Sequence, residues 1–193
     1  MNQRKFFIAL AVCAFVMGGC GQQSAERQNG EDSVGMEQAE PLQMAIESYL
    51  VDSIGGRYAW GEVCIPYSGF IVVEGEGLDT VRVWGDWWVD NFDLVGYTLK
   101  CVSGGSHPGM FVLVKEADGY RVDVFDQVED GSRCQPSAER IFGKHYEDFH
   151  AVNSNEGIRD SVRLEVVSEY VREHGLKVTC LQDYGWPAVE LWK

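Results

Sequence analysis

From Pro41 onward the apolar positions change rhythm twice. Leu42, Ala45, Ile46, Tyr49 and Leu50 lie at helical spacing after Pro41, and Gly55-Gly56 stops the run. Strand-like runs follow: EVCIPY, GFIVVEG, TVRVWGDWWVDNFDLVG, YTLKCVS, GMFVLVKEA and GYRVDVFDQV. They are parted by the turn signals GEGLD, VGYT, GGSHPG and ADG. Connections this short predict an antiparallel meander, because parallel strands need long crossovers. The helical rhythm returns from about Asn155 to His174. Asn153 with Glu156 reads as a capping box there, and Gly175 as the stop. Ile158, Val162, Val166 and Tyr170 form a stripe that Val167 and Val171 widen. The closing piece, LKVTCLQDYGWPAVEL, predicts an edge strand before Pro187. The expected fold class is α+β: a curved antiparallel sheet packed against an N-terminal and a C-terminal helix, as a single domain over residues 41–193.

The stretch VSGGSHPG sits between two apolar runs and predicts a hairpin turn. Gly104 and Gly105 suit a positive φ, and the following proline biases His107 towards an extended conformation. On this reading His107 is an exposed turn residue without chemistry. The functional alternative makes it a general base, with Ser103 or Ser106 near it and Asp86 or Asp90 behind. No spacing in the sequence supplies that geometry.

The N-terminus adds a location. Arg4 and Lys5 precede the apolar run FFIALAVCAFVM, which is too short to span a bilayer and is laid out like a secretory signal peptide. The run ends in Gly18, Gly19 and Cys20, which resembles the lipobox of bacterial lipoproteins, with Met17 standing where the family has Leu, Val or Ile. The resemblance implies cleavage after residue 19, acylation of Cys20 and a membrane-anchored protein of the cell envelope. Gly21 rather than Asp after the cysteine implies the outer membrane over the inner one where a cell has both. Residues 20–40 are rich in Gln, Glu, Ser and Gly and lack aromatics, the composition of a flexible tether.

The net charge of −14 argues against nucleic acid and against direct adsorption to anionic lipid. The remaining cysteines beyond Cys20 are Cys64, Cys101, Cys134 and Cys180. An exported chain permits disulfides, and the expected pairs are Cys64 with Cys101 and Cys134 with Cys180. Their spacing matches no common zinc motif. No metal or cofactor is expected elsewhere. DQVEDGSRCQPS lacks calcium ligands at two required positions, and HYEDFH places His145 and His150 on different helix faces.

The densest cluster is WGDWWVDNF. Together with the strands after it, up to GYRVDVFDQV, it resembles the curved sheet of the cystatin-like, ketosteroid-isomerase-like superfamily, with Gly85 in the middle of a long bent strand. The resemblance implies a cone-shaped α+β domain, in some members with a pocket on the concave face. Asp86, Trp87, Trp88, Asp90 and His107 are the candidate ligand-binding residues on that face. The expected function is a non-catalytic binding or interaction module with a protein partner in the envelope. The alternatives are a small enzyme with a His107–aspartate acid–base pair, and an acidic inhibitor or immunity-type protein for a basic partner.

Overall fold

The computed structural model describes residues 31–192, with side chains described from Glu40 onward. The signal segment and Cys20 lie outside the described residues. Helix α1 (Glu31–Tyr49) begins upstream of Pro41, which stands inside it. Glu, Gln, Met and Ala dominate that upstream stretch, and these are good helix formers even without an apolar stripe. The helix runs on through a π turn at Leu50–Ile54 and a 3-10 turn at Gly55–Arg57.

Five strands follow: β1 (Val63–Glu74), β2 (Thr80–Val95), β3 (Thr98–Ser106), β4 (Gly109–Glu116) and β5 (Gly119–Gln127). Helices α2 (Cys134–Phe142), α3 (Tyr146–Asn153) and α4 (Glu156–Glu173) come next, and short strands β6 (Cys180–Gln182) and β7 (Val189–Glu190) close the chain. The sheet is curved and unclosed, in the order β5-β4-β2-β3-β6-β7, with β1 on the other side of β2. All pairings are antiparallel except β3 with β6, which the intervening helices allow to run parallel.

The expected hairpin at VSGGSHPG is absent. Ser106 pairs with Trp88 and Gly109 with Gly85, and the His107 N–H donates to the Trp87 carbonyl at 2.6 Å. β3 and β4 therefore form one line along β2. Along this line the ladder is interrupted at Pro108, which has no N–H to give, and at a bulge that leaves Val102 without a partner residue on β2. The real reversal is at Gly96-Tyr97, where Val95 faces Thr98. The glycines of VSGGSHPG serve packing instead of reversal. A Cβ on Gly104 would land on the Asp90 carboxylate, and one on Gly105 would sit 2.9 Å from the Tyr58 hydroxyl.

Both faces of the sheet are covered. On one, Leu42, Ile46, Leu50 and Ile54 pack on Val81, Val83, Trp87, Val89, Phe111 and Leu113. On the other, Val167 and Val171 of α4 pack on Ile65, Phe92, Leu99 and Leu181, while Ile141, Phe142 and Phe149 of α2 and α3 cover Trp84. Gly85 fits this scheme: a Cβ there would run into the Trp87 ring. The cap of α4 is Asn155, whose Oδ1 accepts from Ile158 N at 3.2 Å; Asn153 turns its amide to Asp86 instead.

The expected disulfides are also corrected. All four described cysteines are free thiols. Cys64 pairs with Asn91 and Cys101 with Phe92, so the two flank β2 on opposite sides and point to opposite faces. Two strand spacings, roughly 9–10 Å, exceed what a disulfide spans. Cys134 opens α2 over the Trp84 end of the sheet, whereas Cys180 pairs with Thr98 at the other end. Burial, then the charge of Asp90, pushes the Cys101 thiol up to about 11, which keeps it protonated and unreactive. Alkylation and peptide mapping of the unfolded, unreduced protein should find a reactive thiol at each of Cys64, Cys101, Cys134 and Cys180. A Cys64–Cys101 disulfide peptide would contradict the register.

Candidate functional site

The five residues singled out in the sequence do not share a face. Alternation along β2 sends Asp86, Trp88 and Asp90 towards α4 and Trp87 towards α1. His107 stands opposite Trp87 and shares its side. A His107–aspartate pair is thus divided by the sheet itself.

His107 is 8 % exposed and fully engaged. Its Nε2 is 3.0 Å from the Tyr58 hydroxyl, and its Nδ1 is 2.9 Å from the Gln127 side-chain nitrogen. The Gln127 amide donates, so Nδ1 is the acceptor, Nε2 carries the hydrogen, and Tyr58 accepts it. Three separate segments meet on this ring: the strap after α1, the β3–β4 junction and the end of β5. Burial lowers the pKa of His107 below its ordinary value; Asp130 opposes this and Arg57 assists it.

On the other face, two arginines of α4 stand over β2. Arg163 Nε donates to Asp90 at 2.7 Å, and its two terminal nitrogens hold both oxygens of Asp183 at 2.9 Å. Arg159 lies over the Trp88 ring, 5.1 Å from its centre, and its Nε is 3.5 Å from Asp86. Asp86 is 2 % exposed and also accepts from Ser106 at 2.7 Å and Asn153 at 3.4 Å. Burial raises the pKa of Asp90 despite the nearby Arg163 charge and hydrogen bond. Burial works against the Arg163 charge, but the Asp183 hydrogen bonds and the Asp90 charge outweigh it and raise its pKa. Tyr67 packs beside Trp88 with its ring tilted at 43° and the ring centres 4.8 Å apart. Trp88 is itself 7 % exposed, so its ring offers no open platform to a ligand.

Arg159 and Arg163 escaped the sequence reading. Their signal was present: two arginines one helical turn apart, matching two aspartates that share a strand face. The apolar stripe drew attention to Ile158 instead, which the structure leaves exposed. His145 and His150 do not come together either. His145 stands 3.2 Å from Glu74, and His150 packs beside Tyr146.

The chain matches no protein-family model, no curated protein and no solved structure.

Two outcomes follow for His107. Replacing it with Ala should cost about 2 kcal/mol in urea unfolding, because Tyr58 and Gln127 lose a buried partner. A cost within about 0.5 kcal/mol would return it to the status of an exposed turn residue. The second outcome concerns pH. A histidine with a lowered folded pKa contributes fully above its unfolded value of about 6.5. That contribution fades as pH falls, because the unfolded chain takes up the proton first. The stability gap between wild type and His107→Gln should therefore narrow between about pH 7.5 and pH 5.5. A gap that widens on acidification contradicts the lowered pKa.

Proposed function

We propose that the chain is a lipid-anchored protein of the cell envelope that binds a protein partner and performs no catalysis. One contrast carries this reading. The side chains suited to acid–base work are spent in internal pairs, while several aromatic rings stand in water. Trp60, Tyr97, Tyr184 and Trp186 are 83 %, 69 %, 95 % and 71 % exposed.

These rings belong to three segments: the strap after α1, the β2–β3 turn and the β6–β7 turn. Trp60 lies in the strap beside Phe92, where the Ala59 carbonyl accepts from Ser103. Tyr97 is the tip of the β2–β3 turn, and its carbonyl accepts from Thr179 and Cys180. Tyr184 and Trp186 lie in the β6–β7 turn. Leu94 and Val95 in β2, Val102 in β3, Val189 in β7 and Trp192 after it add exposed apolar surface. Single exposed apolar residues are ordinary, and the weight here falls on the four large aromatic rings left in water. Aromatic residues are the side chains most enriched in protein interfaces. The anchor is Cys20, by its resemblance to a lipobox, with the outer membrane favoured by Gly21. The strongly negative charge speaks against a nucleic-acid partner.

Two measurements test this. Replacing Cys20 with Ser should leave the protein unprocessed or release it from the membrane fraction; normal maturation and membrane retention would remove the anchor from the proposal. The tagged wild-type protein, captured from its own envelope, should retain a protein that a Trp60→Ala/Tyr97→Ala/Trp186→Ala variant of equal melting temperature does not. Retention by both, or a substrate consumed by the purified protein, would overturn the binding-module reading.

A further inference from the structure

We propose that the cavity between α4 and the segment after β7 binds the ammonium group of an aliphatic amine, with Glu165 as its counter-ion and Trp192 as its aromatic wall. This goes beyond the binding-module reading above and does not depend on it.

The cavity measures about 330 Å³, at the lower end of the range for small-ligand sites. One side of it is α4. Residues three and four apart share a helix face, so Ser161, Glu165, Glu169 and Arg172 line it in succession. The other side is the segment after β7, where Leu191 and Trp192 close it. That segment is pinned at Leu191. Its N–H donates to the Thr179 carbonyl at 2.9 Å, its side chain is buried in the core beneath α4, and its carbonyl accepts from Ser168 Oγ at 2.9 Å. Trp192 follows this fixed point directly and stays 44 % exposed. A ring tethered before binding loses less freedom when a ligand arrives.

The ligand class follows from the charges on the cavity wall itself. Two carboxylates stand there against one guanidinium. Arg172 donates to Glu169 at 2.8 Å, so that pair answers itself. Glu165 makes no ion pair and no hydrogen bond among the described residues. It also lies one helical turn from Glu169, and like charges at that spacing repel. What the wall lacks is a cation beside Glu165. The face of an indole ring is its negative side and attracts such a cation. Leu164 and Leu191 add apolar lining, which suits an alkyl stem behind the charge. A metal ion needs more oxygen ligands than one free carboxylate supplies, and no group of three ligating side chains occurs among the described residues. Glu165 and Trp192 are therefore the contact residues, and Ser168 positions Trp192 through Leu191.

The probes are putrescine, a free diamine, and acetyl-lysine methylamide, which carries the same ammonium as a protein side chain. Each is titrated into the full chain in non-ionic detergent at physiological salt, and backbone amide and indole shifts are followed by NMR. At least one should shift the Trp192 indole and the amides of residues 161–172 saturably, and the tighter of the two assigns the source of the amine. Butanediol, the uncharged counterpart of putrescine, should not. Glu165→Gln and Trp192→Ala should each weaken binding about threefold or more at an unchanged melting temperature. Arg172→Gln releases Glu169 and should tighten binding about twofold, a gain that a merely structural role does not produce. Glu76→Gln, an exposed acid in the β1–β2 turn, should leave the affinity unchanged. The absence of saturable shifts with both amines would overturn the proposal, as would unchanged affinity in Glu165→Gln and Trp192→Ala. Equal binding of butanediol would reduce the cavity to an apolar groove, and an equal loss in Glu76→Gln would mean diffuse attraction to an acidic chain; either result overturns it too.

Discussion

Strand β2 is the constraint on which the rest depends. It is flanked along its length by β1 on one side and by β4 and β3 in succession on the other. Neighbours on both edges fix its register, and a fixed register decides which way each side chain points. Trp87 and Val89 go to the α1 core, while Trp88, Asp86 and Asp90 go to the α4 side. A cluster that reads in sequence as one aromatic and acidic patch is two unrelated environments. One is a dry apolar core; the other is an ionic layer under a helix.

That ionic layer explains the placement of α4. An aspartate buried under a helix is costly unless it is paired and hydrogen-bonded. Asp90 meets Arg163, and Asp86 meets Ser106, Asn153 and Arg159. These contacts set the helix along its length as well as against the sheet, which the apolar residues Val167 and Val171 alone do not. The opposite face has polar contacts of its own: Tyr58–His107–Gln127 ties the strap after α1 to the β3–β4 junction and the end of β5, Asn91 donates to the Gly55 carbonyl and to Ser103, and Glu47 accepts from Ser68. Polar groups in this domain specify position, and apolar groups supply most of the driving force.

Much of the fold was legible in the rhythm of the chain. The two long helices, the run of strands and the α+β class follow from spacing and turn residues. The misread parts have physical causes. Gly104 and Gly105 look like a reversal because glycine is used both to turn a chain and to let side chains approach it. Here Asp90 and Tyr58 need the room. Pro41 looks like a helix start, yet the helix passes through it. Cysteine spacing carries no information on which face of a sheet each thiol occupies, so the Cys64–Cys101 pairing failed on register. The candidate site was legible in its residues and not in its geometry. Arg159 and Arg163 come from a distant part of the chain, and only the fold lays them over β2.

The parallel pairing of β6 with β3 has a consequence for the order in which the molecule is made. Val178, Leu181 and Leu191 line the core beneath α4 alongside Phe92 and Leu99, so that core borrows its last wall from the end of the chain. The α1 core draws on residues only as far as Phe125 and can close early. A nascent chain therefore passes through a half-built stage: one face sealed, the other still open with Phe92 and Leu99 uncovered. Until the final residues emerge, that open face is the surface an assisting chaperone would find.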